Sequence, residues 1–167
     1  MTESQRTPVP RDDGGELDTA LAFLGFARES LLKKTDGLAE AELRRVLVPT
    51  GTTLLGLVRH MTFGERYWFG YHLAGTEPDR DWDQDDFGMR VPADRAPADV
   101  LAGYRAAIAD SDAVVRAVGD PEALTALPVG DQRQTLRWVL AHVTSETVRH
   151  AGHADILREL IDGVTGR

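Results

Sequence analysis

The stretch Q-T-L-R-W-V-L-A-H-V-T-S-E-T-V-R-H-A-G-H-A-D-I-L-R-E-L-I-D-G, from Gln134 to Gly163, decides how the chain folds. Leu136, Val139, Leu140, Val143, Leu157 and Ile161 recur at helical spacing, and Gly163 closes the run. That pattern predicts one long amphipathic helix over 134–162. At about 100° per residue, with His142 set to zero, Glu146 falls near 40°, His150 near 80° and His153 near 20°. Four polar groups therefore share one narrow stripe beside Val139, Val143 and Leu157, on the face that looks into the fold. A carboxylate and imidazoles left unpaired there lose several kcal/mol of solvation. A divalent cation removes that cost. Glu146 and His150 stand one turn apart at i and i+4, and His153 follows at i+3, all of them chelating spacings. His142 lies about 16 Å along the axis from His153, too far to share one ion with it.

The rest of the chain supplies three more long helices. The first is predicted over 16–35 from Leu17, Leu21, Leu24, Leu31 and Leu32, with Gly37 as its stop. Arg28 falls on the same apolar face, an odd residue for a core position. Residues 39–44 read as a short helical turn. The second helix starts at Thr52 or Thr53, either of which can cap it, and runs to Leu73 before Gly75. The third opens on Pro97 and carries Val100, Leu101, Tyr104, Ile108, Val115 and Val118 to its end near Gly119. Between the second and third lies a long acidic connection, 76–96, in which Trp82, Phe87, Met89 and Val91 predict a loop packed onto the bundle. Residues 1–15 read as a flexible tail, leaving one domain over 16–167. The fold expected is all-α: a four-helix bundle with a long connection between helices 2 and 3, against the alternative of an irregular helical domain.

An ion between helices needs a ligand from a second one. His60 supplies it, because Gly56, Leu57, Phe63, Gly64, Tyr67 and Tyr71 lie within about 60° of it on the second helix. His72 lies near 120° and reads as a surface residue. The same polar stripe also suits a metal-free ladder between helices, or a histidine pair bridged to Glu146. Only one helix carries a cluster, so one metal is expected rather than the two of a di-iron carboxylate bundle.

Composition narrows the function. The chain of 167 residues carries a formal net charge of −8 and only two lysines, Lys33 and Lys34, so no basic patch exists for nucleic acid or an anionic membrane. There is no cysteine, which excludes disulfides, thiolate ligands and cysteine nucleophiles. A metal must then be held by His, Asp or Glu, a donor set that suits zinc, nickel, manganese or iron. No apolar run approaches the roughly 20 residues of a membrane span, and the N-terminus has no secretory core, so a cytoplasmic location is expected. No nucleophile elbow, phosphate loop or dinucleotide fingerprint occurs.

Two segments, L-L-G-L-V-R-H-M-T-F-G-E-R-Y-W-F at Leu54–Phe69 and E-T-V-R-H-A-G-H-A-D-I-L-R-E-L-I-D-G at Glu146–Gly163, resemble the DinB superfamily. Within it they look like the branch related to mycothiol-dependent maleylpyruvate isomerase. The resemblance runs from the first helix to Gly163. It implies a four-helix bundle holding one divalent metal, zinc or nickel, through a histidine matched here by His60 and an E-x-x-x-H pair matched by Glu146 and His150. His153 stands where many members have Gln, so it is expected as a fourth ligand or an outer partner. The resemblance also implies a metal-activated low-molecular-weight thiol such as mycothiol, an electrophilic substrate, thiol transferase or isomerase chemistry, and a homodimer. The isomerase's additional C-terminal domain has no counterpart here, so its substrate contacts do not carry over. Arg28 and Tyr67 are expected to line the pocket and bind an anionic group. The rival reading is a non-enzymatic bundle that binds a metal or small ligand. A three-ligand site on a pocket floor favours catalysis; a closed four-ligand site favours structure.

Overall fold

The computed structural model describes residues 8–11, 14–77 and 87–165. Five helices follow one another: α1 Glu16–Lys33, α2 Glu40–Leu43, α3 Leu54–Glu65, α4 Pro97–Val118 and α5 Leu136–Asp162. Their ends follow the local chemistry. The Thr53 hydroxyl accepts from Gly56 N at 3.0 Å and opens α3, and Thr135 accepts from Trp138 N at 3.2 Å and opens α5. Pro97 sits in the first turn of α4. Gly119 and Gly163 close α4 and α5 at φ 65° and 76°, a backbone state open to glycine at little cost.

The four long helices form the predicted all-α bundle, with α1 along α5 and α3 along α4. Among the described residues the only β pairing is two isolated bridges in the link between α4 and α5. No helix there is long and apolar enough to cross a membrane. The described end of the long connection does pack onto the bundle: Met89 and Val91 lie against the core. Gly56 makes this possible, since a Cβ there would stand 2.3 Å from the Met89 carbonyl oxygen. Trp82 and most of the acidic residues of that connection fall outside the described residues.

One expectation fails. Beyond Glu65 the second helix does not stay α-helical but winds as a π-helix over Arg66–Ala74. Its bonds close from i to i+5, so the 100° wheel loses register after Glu65. His72, read from that wheel as a surface residue, is buried. It stands against Tyr67, Trp68 and Tyr71 at centroid distances of 4.5, 5.4 and 5.0 Å. Burial holds its imidazole below the ordinary pKa.

The core has two apolar halves. One gathers Leu31, Leu55, Leu57, Val58, Tyr104, Ala154 and Leu157; the other gathers Leu24, Phe69, Leu73, Val115, Leu136 and Val139. Between them runs a polar layer. Arg28 of α1 donates from Nε and Nη2 to both Glu65 carboxylate oxygens at 2.7 and 2.6 Å, and from Nη1 to Asp112 of α4 at 2.7 Å. Arg28 is 2% exposed and Glu65 0%. Burial opposes the guanidinium, but the bonds to Glu65 and Asp112 outweigh it and raise its pKa. Burial pushes the Glu65 carboxyl up while Arg28 pulls it back. The fork geometry, with both carboxylate oxygens accepting, is that of an ionised pair. Arg28 is thus committed to the core and does not line the cavity described below.

Glu65→Ala strands the guanidinium and is expected to cost about 3–5 kcal/mol in urea unfolding. The paired change Arg28→Met/Glu65→Leu should recover most of that loss, because neither partner is left uncompensated. A single-variant loss below about 1 kcal/mol, the level of a surface ion pair, would show that charge does not hold this layer.

Candidate functional site

The π segment and α3 face α5 across a cavity of about 350 Å³. Its walls are His60, Met61, Phe63, Gly64, Tyr67, Trp68, Phe87, His142, Val143 and Glu146. The size suits a small-molecule site, and the lining is mainly apolar and aromatic with a few polar groups. Tyr67 is among the lining residues.

His60 and His150 meet beside this cavity, with ring centroids 4.7 Å apart. The Phe87 carbonyl oxygen lies 2.7 Å from His60 Nδ1. A carbonyl only accepts, so Nδ1 carries the hydrogen and Nε2 keeps a lone pair for a ligand. Phe87 takes an unusual backbone state to do this, with φ at 49°. The next residue, Gly88, has φ at 81° and could not carry a side chain, because a Cβ would stand 2.4 Å from the Phe63 ring.

His150 is 5% exposed, and neither of its ring nitrogens has a hydrogen-bond partner among the described residues. Burial first, then His60, Arg149 and His153, lower its pKa to about 4, so the ring is neutral at physiological pH. Glu146, one turn earlier, reaches to 3.8 Å from His150 Nε2 and also pairs with Arg149. His153 is exposed, its ring centroid 5.4 Å from that of His150.

The four residues expected to hold a metal thus lie in one neighbourhood, with His153 at the solvent side. As they stand, no three His, Asp or Glu side chains among the described residues converge as a cation site. The Glu146 carboxylate, drawn to Arg149, would have to turn. The donor chemistry nevertheless fits a cation: a neutral, buried imidazole with no hydrogen-bond partner among the described residues, next to a second imidazole oriented through its other nitrogen.

Sequence reasoning missed several walls. His142 was set aside because it cannot reach an ion near His153, yet it lines the same cavity as Glu146. Its place on the 142–146–150 stripe was the available signal. Trp68 and Phe87 carried no signal of that kind, since one depends on the π wind and the other on a loop.

Without metal, His150 makes stability pH-dependent. Its folded pKa of about 4 lies below its ordinary 6.5, so the unfolded chain takes up a proton first as pH falls. Stability should therefore be intact above pH 6.5 and fall between 6.5 and 4, by up to about 3 kcal/mol from this group. Thermal melts of chelated protein across that range, compared with His150→Gln, isolate its share from that of His72. Equal slopes in the two proteins would refute the assignment.

No curated protein matches the chain. A family model described as mycothiol S-transferase matches residues 19–163, which takes in all but the first turn of α1, the whole of α2 to α5 and every residue of the site just described. With the DinB-like motifs and the helical bundle beside that match, the chain belongs to the mycothiol S-transferase family.

Proposed function

We propose that the protein is a metal-dependent thiol S-transferase that joins mycothiol to a small electrophile in the cytoplasm. One observation carries the metal: among the described residues, both ring nitrogens of the buried His150 lack a hydrogen-bond partner, and the ring stands beside His60. Family membership supports the thiol. His60 through Nε2, His150 and Glu146 would hold one divalent ion, with His153 as a fourth or outer donor. Zinc and nickel suit these nitrogen and oxygen donors best. Such an ion, when bound, lowers the pKa of a thiol and keeps it as thiolate at neutral pH.

The chain's own residues do the rest. The Phe87 carbonyl fixes the tautomer and angle of His60. Burial keeps His150 unprotonated, so that no proton competes for its lone pairs. Phe63, Tyr67 and Trp68 give the cavity apolar, aromatic walls. Arg28 takes no part, because its donors are held by Glu65 and Asp112.

The test combines metal analysis with turnover. Purified protein should take up one zinc or nickel ion per chain and conjugate mycothiol to a bromomethyl arene. Chelation should abolish the reaction, and one equivalent of metal should restore it. His150→Ala should lose both metal and turnover. Metal uptake without turnover would leave the non-enzymatic binding bundle; no uptake, with His150→Ala as stable as the parent, would remove the metal site itself. Gly88→Ala provides a finer check. It should push the Phe87 carbonyl off His60 and weaken metal affinity by about 10–100-fold, the usual range for losing an outer-shell partner. An unchanged affinity would mean that Phe87 does not orient His60.

A further inference from the structure

The cavity has two chemically different ends. His60 meets His150 at a centroid distance of 4.7 Å, and eight residues further along one helix, eight back along the other, Trp68 meets His142 at 4.4 Å. The two helices therefore run antiparallel past the cavity. His142 and His150 stand about 12 Å apart along α5 at about 1.5 Å per residue, with Glu146 midway.

The far end is a fixed aromatic clamp. His142 stacks on Trp138 at 5.0 Å and 8° and meets Trp68 edge-on at 65°. Trp68 is held in turn by Tyr67, His72 and Trp138 at 5.0, 5.4 and 5.7 Å. Both Trp68 and His142 are only half-buried and line the cavity. Their rings are immobilised by neighbours while a surface stays open, so a guest meets walls that need no ordering. Aromatic rings favour offset and edge-to-face partners, which an aromatic guest supplies and an aliphatic one does not. Among the described residues no lysine or arginine lines the cavity, so none of them compensates an anion. Among the same residues Glu146 is the one carboxylate in the wall, and in the metal-free protein it pairs with Arg149, so it offers a cationic guest little.

We infer that the Trp68–His142 end is the electrophile subsite and that it selects uncharged, planar aromatic electrophiles. Trp68 and His142 act as specificity-determining residues, seating the ring so that its reactive carbon points along the cavity toward His60 and Glu146. This rests on the S-transferase reading for the word electrophile, while the binding preference stands on the clamp alone.

Titration calorimetry on chelated protein without thiol tests the clamp by itself. The probe is 1-naphthalenemethanol, set against cyclohexylmethanol, 1-naphthoate and 1-naphthylmethylammonium. The neutral arene should bind at least about tenfold more tightly than each of the other three. His142→Leu should weaken it by about tenfold and His142→Phe should restore it, since the ring rather than the imidazole is required. Equal binding of the cyclohexyl probe, tighter binding of either charged naphthalene, or an unchanged affinity in His142→Leu would overturn the subsite. Failure of mycothiol turnover alongside this binding pattern would count against the transferase reading and leave the clamp standing. Turnover of a naphthylmethyl bromide with its KM unmoved in His142→Leu would do the reverse.

Discussion

Arg28 places a guanidinium between the two apolar halves of the core, and the packing of three helices is arranged around it. Its fork takes both oxygens of Glu65 from α3, and its remaining arm takes Asp112 from α4. On α5, Thr147 is also fully buried, and its hydroxyl donates to the Val143 carbonyl at 2.7 Å within its own helix. Apolar side chains tolerate sliding, because one leucine contact resembles another. A bidentate pair does not: a slip of one turn, about 5.4 Å, would leave a charge buried with no partner. The polar layer thus sets which turn of α1 and α4 faces which turn of α3.

That register reaches the site through α3. Glu65 is the last α-helical residue before the π segment, so the layer pins the point at which the winding changes. On one side of that point His60 points to His150; on the other, Tyr67 and Trp68 turn into the cavity while Phe69 and Leu73 enter the core. The His150 imidazole is the counterpart of Arg28 in this respect. Both are buried polar groups, but Arg28 has every donor arm engaged, whereas His150 has neither nitrogen bonded among the described residues. The fold satisfies the first within those residues and not the second.

The helices were legible in the sequence because each carries its own evidence: leucines at helical spacing in α1, Thr53 and Thr135 as caps, Gly119 and Gly163 as stops. That Glu146, His150 and His153 share one α-helix was legible for the same reason, but the inward face expected for all three holds only for His150, since Glu146 is half-buried and His153 is exposed. What failed was whatever depended on departures from that helix or on distant partners. His72 was misplaced because the wheel assumes α winding, which ends at Glu65. Arg28 stood out as odd on an apolar face, but its partners lie 37 and 84 residues away and no local periodicity connects them. Phe87 reaches His60 through a backbone oxygen, and a carbonyl is the same in every residue.

The π segment bears on how such a protein diversifies. A π turn is one residue more than the helix needs, absorbed without a loop. The nine residues make about two π turns, so loss of one residue between Arg66 and Ala74 would let about one of those turns relax to α winding. His60, upstream of it, and the whole of α5 would keep their places, while the rings downstream would swing to new azimuths. Insertions and deletions are usually tolerated in loops and harmful in helices; here a change of length inside a helix would leave His60 and His150 untouched and recut the wall beside them. Substrate range in this architecture is open to change through residue count as much as through residue identity.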